Sequence, residues 1–488
     1  MSEVDCDQRN LCAPQVCEEG ACVVLFEREC ESSDPCVESR CEPETGLCLK
    51  EYKTEDADGD GYRAPLAGFL PGEEGSCGDD CNDNSPFAYS GAAEVCDGID
   101  NDCDGVIDNQ ITLLSELTLS QPQVMTPTGQ SSSSGKSLSS VSGGFVFGLW
   151  GKEVEATSLI QAFDASGTTI FGPVNTTAVN AASFGASVAT ADNIVGAVWS
   201  DARVDDNYEV YFSRFNLAGE KLSEDLRLSN SDDFSIHGQL ASDGDSFYVV
   251  HDDRGNFGDG GYARVWGAII SREGELLDSE VPLLNSLDST EYPQVAVSAE
   301  RLGVVATRLR YNGTAYQSEI VFQSFSNRFG DGSELISLEA VDGHRAKIVP
   351  VPEGFLVAWT RFGTFPGDSI WGSLISPQGE VLVAATRLTE GAEFARGHSM
   401  VSLGDRFLLI WSDTLEGNYE VYAKVLDFNF TTIEERFRLT EDSADSLVGA
   451  AALAEDGSLG IVFDDWRSNR REAYFLSLSC GSDAREVV

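Results

Sequence analysis

The sequence has little positive charge: 32 lysines and arginines stand against 81 aspartates and glutamates, which gives a net charge of −49 at pH 7. Nucleic acid is excluded as a partner because its phosphates need a basic surface, and simple adhesion to anionic lipid is excluded for the same reason. Such a surface attracts cations instead. We therefore expect a protein whose binding partners are metal ions, proteins or glycans.

The sequence also lacks an apolar run long enough to span a membrane, and it lacks helical periodicity of useful length. No export signal is visible, and we expect that one was removed from a secreted or cell-surface protein. The 488 residues are 42% apolar and 9% aromatic, which is enough for a core. This length predicts two or three domains or one large repeat array.

Cysteine is nearly absent after residue 103, where only Cys480 remains, whereas twelve cysteines lie between Cys6 and Cys103. This density predicts a disulfide framework from an oxidising compartment. Residues 1–50 contain two similar C-x5-C-x4-C units, which begin at Cys6 and Cys30 and hold too few apolar residues to fold without cross-links. The pairing and the state of Cys480 stay open, and zinc on four cysteines is a weaker option.

Residues 51–110 are predicted to form an acidic metal-binding module with two disulfides. Residues 1–110 hold 28 acidic residues against 6 basic ones, and two stretches match D-x-D-x-D-G, at Asp56–Gly61 and Asp100–Gly105. Alternating carboxylates followed by a turn-forming glycine are the first half of an EF-hand-type calcium loop. Neither loop has a glutamate at its twelfth position, so the remaining ligands come from elsewhere. A solvated acidic segment without metal is the alternative.

We predict calcium as the bound ion. The predicted ligands are Asp56, Asp58, Asp60, Tyr62, Asp80, Asp83, Glu94, Asp100, Asp102, Asp104, Val106 and Asp108, with Tyr62 and Val106 acting through their backbone carbonyls. Asp79 is a further candidate for closing one of the loops.

The stretch "DADGDGY" and the following "CGDDCNDNSPFAYSGAAEVCDGIDNDCDGVIDN" resemble the metal-binding repeat of MopE-type surface proteins of myxobacteria and their relatives. The resemblance covers Asp56 to Asn109 and implies an extracellular or surface location and a bound cation. Ser90 departs from it, because a proline is usual there. Repeats of this family are often described as copper-binding, and surface copper binding is one alternative function. Copper prefers imidazole, thioether or thiolate ligands, whereas residues 2–110 contain neither histidine nor methionine.

From residue 111 onward a repeat of about 50 residues replaces the cysteines. A short apolar run ending in a bulky residue recurs every 49 to 57 residues, and its end positions are Trp150, Trp199, His251, Arg308, Trp359, Trp411 and Phe463. Each unit offers about four short strands bounded by turns, which is one propeller blade. We therefore predict an all-β fold with a seven-bladed β-propeller over residues 111–488. Six blades is the alternative, because the Arg308 unit is the weakest match.

The last repeat stops after its third strand, near Cys480. The segment 114–120, "LSELTLS", resembles the fourth-strand pattern of other units. We expect it to complete the last blade and close the ring, which would remove an open sheet edge.

No catalytic constellation stands out in the propeller. The recurrent W-S-D-x-R motif (Trp199, Asp201, Arg203) is more typical of a structural element than of a site. His251, with Asp252 and Asp253, replaces the aromatic residue of the repeat. We expect a calcium-binding, disulfide-stabilised secreted protein whose propeller face binds a protein or a glycan, or serves structurally. A glycan hydrolase using Asp201, Asp253 or Asp465 is the alternative.

Overall fold

The structure is a computed structural model, and two compact units divide the chain at residues 1–111 and 112–488. The residues that it describes are 6, 9–19, 21–58, 61–85, 88–92, 99–105, 117–119, 123–124, 131–152, 156–177, 182–204, 207–254, 262–284, 288–299, 301–311, 313–339, 342–363, 367–389, 394–404, 406–454 and 457–480. None of the described segments forms a helix with the length and apolar character needed to cross a membrane.

Two short hairpins supply the regular structure of the first unit. Their strands are β1 (Gln15–Glu18), β2 (Ala21–Val24), β3 (Val37–Cys41) and β4 (Cys48–Tyr52). Strand β1 pairs with β2 and β3 with β4, both antiparallel. Most of their side chains are exposed or half-exposed, so burial contributes little to holding them together.

Five disulfides cross-link the described part of the first unit. They are Cys6–Cys22, Cys12–Cys41, Cys30–Cys48, Cys36–Cys77 and Cys81–Cys103. Cys12–Cys41 joins the two four-cysteine units, and Cys36–Cys77 joins the second of them to the acidic module. Among the cysteines whose side chains are described Cys17 alone is free, and it is exposed; Cys96 lies outside the described residues.

The second unit is a seven-bladed β-propeller, which confirms the predicted fold; the six-bladed alternative is wrong. Blade 1 consists of β7 (Ser131–Val141), β8 (Gly144–Lys152), β9 (Ala156–Asp164) and β10 (Thr169–Asn175). Blade 2 consists of β11 (Ser183–Ala191), β12 (Ile194–Val204), β13 (Asn207–Phe215) and β14 (Leu226–Arg227). Blade 3 consists of β15 (Phe234–Ser242), β16 (Ser246–Arg254), β17 (Arg264–Ser271) and β18 (Leu276–Leu283).

The fourth blade, whose repeat was the weakest match, is complete. It consists of β19 (Ser289–Val297), β20 (Leu302–Tyr311), β21 (Tyr316–Phe325) and β22 (Ile336–Glu339), with a 3-10 turn at Asn327–Phe329. Arg308 stands where other blades carry an aromatic residue, and its guanidinium Nε donates to Glu319 of the neighbouring strand at 2.9 Å. An ion pair therefore replaces the aromatic residue that marks the repeat.

Blades 5 and 6 repeat the same four-stranded antiparallel meander. Blade 5 consists of β23 (Gly343–Val351), β24 (Gly354–Arg361), β25 (Ser369–Ile375) and β26 (Val381–Arg387). Blade 6 consists of β27 (Arg396–Ser402), β28 (Arg406–Asp413), β29 (Glu420–Asp427) and β30 (Thr432–Arg438).

Blade 7 combines both ends of the second unit. Its C-terminal strands are β31 (Ser446–Leu453), β32 (Leu459–Asp465) and β33 (Glu472–Cys480). Strand β33 pairs antiparallel with β5 (Leu117–Leu119) and β6 (Gln123–Val124), which precede blade 1 in sequence. The first strands of neighbouring blades contact one another around the ring, and β31 contacts β7.

The core of the propeller lies between the blades. Among the described residues seven hydrophobic clusters form it, and each combines side chains from two neighbouring blades. Trp359, Trp411 and Phe463 belong to such clusters and are almost fully buried. The recurrent bulky residue therefore marks the interface between blades, which is why its period equals the blade length.

Candidate metal centre and buried acidic networks

The first acidic loop brings three carboxylates together. One oxygen each of Asp56, Asp58 and Asp83 lies within 4.8 Å of the other two, and all three residues are partly buried. The Asp83 carboxylate also accepts a hydrogen bond from the backbone N–H of Ala57 at 2.8 Å, which fixes it against the loop. Gly61 adopts φ +98°, a backbone conformation that glycine takes without strain.

The second loop gathers Asp100, Asp102 and Asp104, whose oxygens lie within the same 4.8 Å limit. The Asp100 carboxylate accepts backbone N–H groups from Asp104 at 3.2 Å and Gly105 at 2.9 Å, so the chain turns around it. Gly105 supplies this turn with φ +93°. One tight turn therefore gathers one oxygen of each of three carboxylates, with Asp104 exposed, and carboxylate oxygens are the ligands that calcium prefers.

Residues 78–85 and 88–91, which lie between the two acidic loops in sequence, pack against both loops. The backbone N–H of Asp80 donates to the carbonyl of Arg63 at 3.1 Å, and a Cβ on Gly78 would lie 2.1 Å from that same oxygen. On the other side the N–H groups of Tyr89 and Gly91 donate to the carbonyls of Asn101 and Asp102. The Cys81–Cys103 disulfide fixes this arrangement covalently.

Among the described acidic ligands that were predicted, Asp80 is not part of either three-carboxylate cluster, whereas the Tyr62 carbonyl stays a predicted ligand of the first loop. Asp80 is almost fully buried, and its Oδ1 accepts the backbone N–H of Asn82 at 2.7 Å. The Tyr62 ring stacks on Tyr89 with centroids 3.8 Å apart. Asp60, Glu94, Val106 and Asp108 lie outside the described residues, as does the side chain of Cys480.

The donor set of both clusters consists of carboxylate oxygens. Hard divalent cations prefer such ligands, whereas copper prefers nitrogen and sulfur. Residues 2–110 contain no histidine or methionine, and ten cysteines of this region are in disulfides. The described residues of the module therefore fit a hard cation and do not fit copper.

The W-S-D-x-R motif of blade 2 forms a closed network. Asp201 is fully buried; it accepts the indole N–H of Trp199 at 2.9 Å and the Nε–H of Arg203 at 2.8 Å. In blade 7 Asp465 is equally buried and accepts the Nε–H of Arg467 at 2.9 Å. Both carboxylates, which were candidates for glycan chemistry, are turned into the protein and bound to arginine.

The third of these candidates, Asp253, is half-buried and accepts the Ser231 hydroxyl at 2.9 Å. Burial, together with the nearby carboxylates of Glu209, Asp233 and Asp252, raises its pKa to about 6. His251 on the same strand is 2% exposed, and burial lowers its pKa to about 4. The histidine is therefore neutral at physiological pH.

A second buried network was not singled out from the sequence. Glu209 in blade 2 accepts Arg227 at 2.8 Å and the backbone N–H of Ser231 at 3.0 Å, while Glu420 in blade 6 accepts Arg438 at 2.9 Å. Both glutamates are fully buried. The signal that could have found them is the repeated "NYEVY", paired with "LRL" or "FRL" about twenty residues later.

Comparison with known proteins identifies one family in part of the chain. Residues 80–109 match the Cu-binding_MopE family model, described as "Putative metal-binding motif". This agrees with the resemblance found in the sequence and places the second acidic loop inside a metal-binding motif. No curated protein is similar enough in sequence to count as a relative.

Comparison with solved structures finds matches of low sequence identity. An α-L-arabinofuranosidase from Fusarium graminearum is 10% identical with a TM-score of 0.46, and covers 64% of this chain and 98% of its own. The NanB sialidase from Streptococcus pneumoniae is 11% identical with a TM-score of 0.41, and covers 73% and 70%. The Dos1 propeller is 11% identical with a TM-score of 0.43, and covers 75% and 95%.

Proposed function

We propose that this chain is an extracellular calcium-binding protein in which a disulfide-stabilised acidic module accompanies a propeller that serves as a binding platform. The observation that carries the proposal is the pair of three-carboxylate clusters, one of which lies within the metal-binding motif. Calcium matches the donor set because it takes six to eight hard oxygens and tolerates irregular geometry. The five disulfides support an oxidising, extracellular location.

The expected affinity follows from the ligands. Neither loop carries the bidentate glutamate that closes a high-affinity EF-hand, since Ala67 and Ile111 stand at the twelfth positions. Extracellular calcium modules bind with dissociation constants on the order of 10⁻⁴ to 10⁻³ M, and we expect values in this range.

Calorimetric titration of the whole protein, after chelation and dialysis, tests the proposal. We expect one calcium site to disappear in D56N/D58N and the other in D102N/D104N. The control E38Q/E44Q removes two exposed carboxylates outside the clusters and should bind like the wild type. Absence of calcium uptake, or copper binding that both cluster variants leave unchanged, would contradict the proposal.

A further inference from the structure

The inner strand of each blade carries a β-bulge, and the residue at the bulge differs between blades. In blades 2 and 6 the residue with positive φ is glycine: Gly185 at +74° and Gly397 at +55°. In blades 3, 4 and 5 it is His237 at +55°, Tyr292 at +55° and Arg345 at +52°. Three consecutive blades therefore place large side chains where blades 2 and 6 use glycine.

This substitution carries a conformational cost. A non-glycine residue with a left-handed backbone is uncommon, and bulky ones persist where the surroundings hold them, often at functional sites. The equivalent bulge forms with a glycine, Gly185 or Gly397, in blades 2 and 6. The backbone geometry of the bulge therefore does not require a side chain at this position. The three side chains therefore contribute something that the blade architecture does not need.

The three side chains meet at one place. The rings of His237 and Tyr292 lie 4.4 Å apart between centroids, and the Arg345 guanidinium carbon lies 6.0 Å from the Tyr292 ring centre. Fully buried Asp252 holds both neighbours, since it contacts His237 Nδ1 at 2.9 Å and accepts the Tyr292 N–H at 3.1 Å. Asp252 is thus a positioning residue for the histidine and the tyrosine.

The same three residues line a cavity of about 310 Å³ between the inner strands of blades 3 to 7. Typical small-molecule sites start at about 300 Å³. In a chain with a net charge of −49, this cavity is lined by four cationic side chains and one carboxylate, namely Arg345, Lys347, Arg396, Arg471 and Asp464. The lining of the cavity therefore carries a net positive charge, whereas the protein as a whole is strongly negative.

Two of these cations already have carboxylate partners. Arg396 binds Asp368 at 2.9 Å and Arg471 binds Asp464. Arg345 is exposed to the cavity, and within the described part of the chain no carboxylate forms an ion pair with it. A planar guanidinium of this kind matches the two oxygens of a carboxylate.

We propose that the cavity binds the carboxylate group of a small anionic ligand, with Arg345 as the charged anchor and His237 and Tyr292 as its neighbours in the site. This assignment deepens the proposed role of the propeller as a binding platform, and it rests on that role. The ligand is a uronic acid unit of a glycan or a free organic acid, which share the carboxylate.

Calorimetric titration of the whole protein in calcium-containing buffer tests the assignment. The probes are D-galacturonate, its neutral methyl ester and succinate. Recognition of a carboxylate predicts that galacturonate or succinate binds at least tenfold more tightly than the ester. Binding by galacturonate alone identifies a sugar acid as the source, and binding by succinate indicates a free organic acid.

Two variants separate binding from folding. R345G removes the anchor and relaxes the left-handed backbone, so we expect at least a tenfold loss of affinity with an unchanged or higher melting temperature. R436Q removes an exposed arginine from the outer strand of blade 6 and should bind like the wild type.

Three results would overturn the assignment: no binding of either acid, equal binding of acid and ester, or binding that R345G leaves intact. Calcium titration of the same sample keeps this outcome distinct from a failure of the metal proposal, because the two sites lie in different units of the chain.

Discussion

His251 occupies a position that tryptophan or phenylalanine fills in five other blades. Its folded pKa of about 4 lies below the ordinary value of 6.5, because burial disfavours the charged ring. Between these values the unfolded chain binds a proton that the folded chain does not. The native state must therefore lose stability as the pH falls from 6.5 towards 4.

The variant H251F removes this titration and restores the apolar type of the repeat. The free energy of unfolding of H251F minus that of the wild type should increase by about 2 kcal/mol when the pH is lowered from about 7.5 to about 5. Denaturant unfolding at the two pH values measures this difference. Asp253 titrates in a similar window in both proteins, so its effect cancels in the difference. H251Q, which also does not titrate, should show the same pH trend at a lower absolute stability. A constant difference across pH would contradict the assignment.

Asp201 provides a second residue-scale prediction. The carboxylate is fully buried and neutralises Arg203, so D201N leaves a partly buried guanidinium without its closest counter-charge. Breaking a buried pair from one side costs about 3 to 5 kcal/mol, and because Asp225 still pairs with Arg203 at 2.7 Å we expect a smaller loss of about 2 kcal/mol in propeller stability. The matched control D192N breaks the exposed Arg272–Asp192 pair and should cost less than about 1 kcal/mol. Equal losses of stability in D201N and D192N would contradict a structural role for the W-S-D-x-R motif.

At the scale of elements, strand β5 links the start of the propeller to its end. Register pairs of Leu119 with Leu478 and Leu117 with Cys480 complete blade 7. Without this strand β33 would expose unpaired backbone groups along one edge, which invites association with other chains.

Truncation tests the closing strand. A chain that starts at residue 126 lacks β5 and β6, and we expect a lower melting temperature and aggregates in light scattering. The control starts at residue 112 and keeps both strands. If the shorter chain stays monomeric and melts with the control, the closing strand is dispensable for stability.

Most of the blade structure could be predicted from the sequence, because each marker run is a strand buried on both faces and bounded by turns. The count of seven followed from the spacing of these runs, even where Arg308 breaks the pattern. The bulges of the inner strands could not be predicted, since a bulge leaves no consistent residue type: glycine fills it in blade 2, but His237, Tyr292 and Arg345 fill it in blades 3 to 5.

For the whole molecule, the two units depend on different forces. The described disulfides all lie within residues 6–103, whereas the propeller is held by apolar clusters between its blades. A disulfide contributes typically about 2 to 4 kcal/mol to a small domain that lacks a large core. We therefore expect the two units to respond differently to reduction.

Scanning calorimetry with and without a thiol reductant measures this difference. Reduction should abolish or strongly lower the transition of residues 1–111 and leave the propeller transition within about 2 °C of its original position. A chain that starts at residue 112 identifies the propeller transition. Parallel loss of both transitions on reduction would show that the propeller depends on the cysteine-rich unit.

The sequence by itself determined the local and repeating features: the number of blades, the acidic loops and the absence of histidine and methionine from residues 2–110. These depend on residue type and spacing, which short-range geometry converts directly into strands and turns. Only the tertiary structure decided which distant residues meet. It brought Asp83 to Asp56 and Asp58, joined Cys36 to Cys77, and gathered basic residues of the inner strands around one cavity. Such contacts follow from disulfide cross-linking and from the closure of a ring, and these bring together positions whose separation along the chain carries no local signal.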